Sequence, residues 1–143
     1  MLRIGKLTDY AILIMSQMAK EPTAILSATS LAEALHLMSP TVSKVLKMLS
    51  EAGLVSSVRG AEGGYHLTQP AAHITLARII TAMEGGFAIT ECCENNGLCV
   101  IDSLCVMREN WQKINKMVHG LLDRLTLVDL LSPLPIEEAS HGK

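Results

Sequence analysis

The chain has no long apolar run, no excess of positive charge, no histidines at metal-binding spacing and no cysteine outside one short stretch. Each absence excludes something. No uninterrupted apolar segment approaches the roughly 18–20 residues of a membrane-spanning helix, so a membrane protein is not expected. The start, Met1-Leu2-Arg3-Ile4-Gly5-Lys6-Leu7-Thr8-Asp9, lacks the apolar core of a signal peptide and carries an acid where such peptides avoid one. A cytoplasmic location is the expectation. The net charge of −2 argues against a uniformly basic nucleic-acid binder, although it divides unevenly. Residues 1–72 hold six Lys/Arg against five Asp/Glu, whereas residues 73–143 hold six against nine. If the first half binds DNA, the placement of a few cations matters more than their number. His36, His66, His73, His119 and His141 are scattered, and none stands at ligand spacing with the cysteines.

What is present is a cysteine segment. Cys92, Cys93, Cys99 and Cys105 all fall between Glu91 and Cys105, and Asn95, Asn96 and Gly97 allow the intervening backbone to turn. Cys93, Cys99 and Cys105 are evenly spaced. In a reducing compartment, clustered thiols point to metal, cluster or redox chemistry before a structural disulfide. No histidine stands near them to activate a nucleophile, so an enzyme is not expected.

The first half reads as short helices followed by a hairpin. Leu7, Ala11, Ile14, Met15 and Met18 recur at helical spacing. Thr8 or an earlier residue is the expected cap, with Asp9 at the positive end of the helix dipole. Ser30 with Glu33 makes a capping box, placing a second helix start at Leu31. Ser39-Pro40 predicts a third, with Ser39 as N-cap and Pro40 at the first helical position. Val42, Val45, Leu46 and Leu49 form its inner face, and the helix ends near Gly53. Two such helices across a tight turn make a helix-turn-helix. Leu54 to Arg59 and Tyr65 to Thr68 then read as strands around Gly60-Ala61-Glu62-Gly63-Gly64, a wing with Arg59 at its tip.

The second half opens with a helix from Thr75 to Glu84, capped by Thr75 and stopped by Gly85-Gly86. After the cysteines, Leu104, Met107, Trp111, Ile114, Val118, Leu121 and Leu125 recur at alternating spacings of 3 and 4. That seam predicts a dimer-forming helix. Residues 126–131 read as a further short helical turn, and Ser132 to Lys143 as a disordered tail. The expected fold is mainly α with a small β-hairpin wing. A winged helix-turn-helix domain covers 1–86, the cysteine loop 87–105, the dimerisation helix 106–131 and the tail 132–143.

These motifs resemble the Rrf-two (Rrf2) family of bacterial winged-helix regulators, which includes IscR-like and NsrR-like repressors. The resemblance rests on Leu7-Thr8-Asp9-Tyr10-Ala11, Gly53 to Gly60 followed by Gly63-Gly64-Tyr65, Ile74-Thr75-Leu76, Glu84-Gly85 and the spaced cysteines. Within the family, Thr90-Glu91-Cys92 and Asn110-Trp111 are most similar to regulators of SUF-type iron–sulfur cluster assembly. The resemblance implies a homodimer on a double-stranded DNA operator, most often a repressor, carrying an iron–sulfur cluster of the 2Fe-2S or 4Fe-4S kind. It implies Cys93, Cys99 and Cys105 as ligands, with Cys92 as an alternate to Cys93. Relatives with a ligating histidine three residues after the last cysteine find no match here, because Arg108 holds that position. Asp9 matches relatives that use an aspartate from the second subunit. On the DNA side the resemblance implies Thr41, Ser43 and Lys44 at base edges or nearby phosphate, Lys47 at phosphate and Arg59 in the minor groove. The alternatives are a thiol-redox or zinc-responsive regulator on the same fold and, below it, an iron–sulfur electron-transfer or cluster-transfer protein.

Overall fold

A computed structural model describes residues 3–94, 104 and 106–135. Helix α1 spans Lys6–Lys20 and buries Thr8, Ala11, Ile14, Met15, Met18 and Ala19, with Leu7 packed at the margin. Of the caps expected, Thr8 or an earlier residue, the earlier one holds: Gly5 is the N-cap, without a side-chain bond, while Thr8 lies inside the first turn and is buried. The exposed helix start is closed from a distance by Glu84, whose Oε1 accepts the Gly5 N–H at 2.9 Å and the Thr8 hydroxyl. A carboxylate at this end also suits the helix dipole.

Helix α2 spans Ala28–Leu35 and starts three residues earlier than the Ser30–Glu33 pattern predicts. Ser27 takes the extended conformation of a cap, and its Oγ accepts the Ser30 N–H at 3.0 Å. Ser30 is therefore already helical and cannot cap. Helix α3 spans Ser39–Glu51, and here too the cap lies one residue upstream. Met38 is the N-cap without a side-chain bond, its carbonyl accepting from Thr41 and Val42, so Ser39 and Pro40 occupy the first two helical positions. Proline suits either place, since the first-turn N–H groups have no helical partner. Gly53, with φ of 75°, turns the chain out of α3.

Strands β1 (Val55–Val58) and β2 (Gly64–Leu67) pair antiparallel, with Val55 opposite Leu67 and Val58 opposite Gly64. Leu26 bridges to Tyr65 through two backbone bonds, 2.9 and 2.8 Å, fixing the hairpin to the segment ahead of α2. Gly64 is needed there: a Cβ at this position would sit 2.6 Å from the Leu26 carbonyl oxygen.

After a 3-10 turn (Ala71–His73), α4 spans Leu76–Glu84, capped as expected by Thr75 and ended by Gly85 at φ 77°. A four-residue helix α5 (Glu91–Glu94) and the long α6 (Arg108–Arg124) follow. The chain then returns to the first half. The Leu76 N–H donates to the Leu125 carbonyl (2.8 Å) and the Leu127 N–H to that of Ile74 (3.0 Å), while the Leu127 side chain is fully buried. One core thus joins Ile14 and Met15 of α1, Leu31 of α2, Val42 to Leu49 of α3, Ile79 of α4 and Leu127. The expected helical turn at 126–131 is a 3-10 turn, Asp129–Leu131.

Helix α6 packs against α4 and α5, yet none of its residues is fully buried. The expected seam divides. Trp111, Val118 and Leu125 are half-buried, whereas Met107, Ile114 and Leu121 are exposed, joined by Met117 at 74%. Among the described residues no helix is long and apolar enough to cross a membrane. The tail expected over 132–143 lies outside the described residues from 136 onward.

Candidate nucleic-acid interface and cysteine site

The polar positions singled out on α3 sit opposite its core face. Val42, Val45, Leu46 and Leu49 are fully buried. That packing fixes the rotation of the helix and leaves Ser43, Lys44 and Lys47 exposed, with Thr41 half-buried in the first turn. Arg59 follows β1 directly and is exposed at the start of the hairpin turn. The two cationic elements therefore belong to one scaffold: α3 packs on β1, and β1 pairs with β2.

Met38, which the sequence places in the turn between α2 and α3, stands out here. It is 74% exposed immediately before the helix, with its carbonyl engaged in the first turn and its thioether outside the core. The signal was available, because a large apolar residue in a helix-turn-helix turn has no place in the inner-face pattern.

The cysteine site is described in part. Cys92 and Cys93 lie in α5, both half-buried and neither in a disulfide. Cys99 and Cys105 lie outside the described residues. Side chains of adjacent residues diverge in an extended chain, but here both sulfurs approach one hydroxyl, with Thr90 Oγ1 at 3.0 Å from Cys92 Sγ and 3.2 Å from Cys93 Sγ. The Cys93 N–H also donates to the Thr90 carbonyl at 2.9 Å, a turn that brings the pair back over Thr90. Thr90 was noticed only as part of a family motif. Its hydroxyl, two and three residues ahead of the thiols, is the signal for this contact.

The approach to the cysteines is tied down on two sides. Asn115 of α6 accepts the Ile89 N–H through Oδ1 (3.0 Å) and donates through Nδ2 to the Phe87 carbonyl (3.4 Å). Phe87 also meets His119 of α6, with ring centroids 6.0 Å apart. At the other end of this connection, Glu84 holds the start of α1. Asp9 is exposed in the first turn of α1, on the helix that Glu84 anchors. Among the described residues no three His, Cys, Asp or Glu side chains converge as a metal site. The donor chemistry of the segment nevertheless fits an iron–sulfur cluster: the cysteines are soft ligands, and the two described thiols are half-buried and outside any disulfide.

A helix-turn-helix, an antiparallel wing and an exposed cationic face on the second helix of the motif define a winged-helix DNA-binding regulator. The chain belongs to the Rrf2 family, whose model, described as an iron-dependent transcriptional regulator, matches residues 4–133. It is 33% identical over 144 residues to the HTH-type transcriptional regulator CymR of Bacillus subtilis, covering 98% of this chain and 97% of that protein. The solved structure of B. subtilis CymR, described as the global cysteine regulator, is similar with a TM-score of 0.73 at 32% identity, over 92% of this chain and 97% of that one. A structure of T. potens IscR has a TM-score of 0.70 at 29% identity, over 99% and 93%. The HTH-type transcriptional regulator NsrR of B. subtilis is 27% identical over 132 residues, 91% of this chain and 90% of that protein.

Proposed function

We propose that this regulator acts in the cytoplasm as a homodimer that carries an iron–sulfur cluster, binds a double-stranded operator and represses SUF-type cluster-assembly genes. The observation that carries the reading is the fastening of the cysteine segment. The chain leading to Cys92 and Cys93 is bonded to α6 through Asn115, and the preceding helix holds α1 through Glu84. A change at the cysteines therefore acts directly on the helix with the exposed apolar face and on the first helix of the DNA-binding core.

Cys93, Cys99 and Cys105 are the proposed ligands, with Cys92 the alternate to Cys93 and Asp9 of the second subunit a candidate fourth. When bound, the cluster supplies a centre that iron shortage, oxidants or nitric oxide can alter. The protein does the rest. Thr41, Ser43 and Lys44 present to base edges and phosphate, Lys47 neutralises phosphate and Arg59 enters the minor groove. The exposed face of α6 (Ile114, Met117 and Leu121), with Met107 at its N-cap, meets its copy, spacing two recognition helices for a two-fold operator. Switching requires that the loaded cysteine segment favour one spacing of those helices over the other.

The test is anaerobic purification with iron and sulfide analysis, and operator binding before and after oxygen. A coloured protein with matched iron and sulfide, whose operator affinity changes as colour fades, is the expected result. Replacement Cys99→Ala is expected to remove the chromophore and leave a folded dimer; a variant retaining native iron content would refute Cys99 as a ligand. A second reading, a thiol-responsive regulator without a cluster, is favoured by the similarity to CymR and by the free Cys92–Cys93 pair. Colourless protein that binds its operator in a thiol-dependent way would select it.

A further inference from the structure

The adjacent thiols are arranged for a chemistry that neither reading uses. Thr90 Oγ1 stands 3.0 Å from Cys92 Sγ and 3.2 Å from Cys93 Sγ. A hydroxyl carries one proton and two lone pairs, so it has the capacity to bond both sulfurs at once, as donor or as acceptor. Both sulfurs are thereby held on the same side of the chain, and both are half-buried and within reach of small solutes. A direct S–S bond fits this pair poorly. Consecutive Cα atoms across a trans peptide are about 3.8 Å apart, short of the ~4.4–6.8 Å usual for a disulfide. A single larger soft atom between the sulfurs relaxes that limit, because two bonds rather than one then separate them.

We propose that Cys92 and Cys93 form a two-thiol site for a trivalent arsenical, with the Thr90 hydroxyl pre-orienting the sulfurs. The exchange balances without an oxidant or reductant. With phenylarsine oxide, two As–S bonds form, the arsenic–oxygen bond is lost, and the oxygen leaves as water with the two thiol protons. Arsenic stays trivalent throughout. The site needs only these residues and is open in protein free of a cluster, since the sulfur that the proposed function gives to iron cannot hold arsenic at the same time.

Full-length Cys99→Ser/Cys105→Ser protein, prepared anaerobically and free of iron, retains only these two thiols. One equivalent of phenylarsine oxide is expected to remove both from thiol titration and to give one phenylarsenic adduct by intact mass. The adduct should survive excess glutathione and be released by 2,3-dimercaptopropanol. An adduct that leaves one thiol titratable, or that glutathione displaces, overturns the proposal. Adding Cys92→Ser should weaken capture by about a hundredfold, the loss expected when a two-point attachment becomes one; unchanged capture also overturns it. Replacement Thr90→Val keeps both sulfurs and should weaken capture by about tenfold, and an unchanged affinity removes Thr90 from the site. In the four-cysteine protein, peptide mapping gives a parallel readout, with the adduct expected on Cys92 and Cys93 and not on Cys99 and Cys105.

Discussion

The winged core and helix α6 use the same helical spacing of apolar residues and reach opposite ends. In α1 and α3 every residue of the inner face is covered by another part of the same chain, and Ile14, Met15, Leu46 and Leu49 are fully buried. In α6 no residue is fully buried, and Met117 and Leu121 stand 74% and 59% exposed. The difference lies in available partners. α1, α2, α3, α4 and the returning Leu127 enclose one another, whereas α6 touches α4 and α5 along one side. Periodicity specifies that a face is apolar; it does not specify what covers it.

Substitutions on the two sides should separate accordingly. Leu46→Ala removes a fully buried side chain from the core and is expected to lower unfolding stability by about 2–5 kcal/mol, measured by urea denaturation. On α6 the same truncation, Leu121→Ala, should cost the isolated protomer well under that. Leu121→Glu should instead convert the proposed dimer to a folded monomer, read by light scattering beside circular dichroism; a stable dimer carrying this change would break the comparison. At the DNA face, Lys44→Ala leaves the fold intact and is expected to weaken operator binding by about 1–3 kcal/mol. If Lys44 contacts phosphate, the slope of affinity against salt should fall by about one as well. The smallest effects concern the caps. Ser27→Ala should destabilise by about 1 kcal/mol, and Ser30→Ala by clearly less, because the Ser27 Oγ accepts the Ser30 backbone N–H. Equal losses at the two positions would restore the capping box inferred from the sequence.

That pair of serines shows where sequence patterns stop. Ser27 and Ser30 both offer a cap, and local spacing with Glu33 favours the wrong one. The choice falls to Ser27 because the Leu26–Tyr65 bridge holds the preceding chain extended. Thr8 is similar. Its place in the first turn reads as a cap, but the closing group is Glu84, 76 residues away in sequence. Thr75 and Gly85, by contrast, act on their own helix and were legible directly.

At the candidate site, the inner face of α3 determined which polar residues of that helix remain outside, so the exposure of Ser43, Lys44 and Lys47 was readable from the chain. The convergence of Cys92 and Cys93 on Thr90 was not. Neighbouring side chains diverge in an extended chain, and only the helical turn at α5 brings both sulfurs over one hydroxyl.

The sequence by itself determined the helix and hairpin order, the inner face of α3, the cap and stop of α4, and the concentration of thiols ahead of α6. These follow from local propensity and short-range periodicity, which act between residues a few positions apart. Tertiary structure alone decided that Glu84 closes α1, that Leu127 returns to complete the first-half core, and that the α6 seam divides into a packed and an open side. Each depends on groups distant along the chain arriving at one place, and no local pattern records which group arrives.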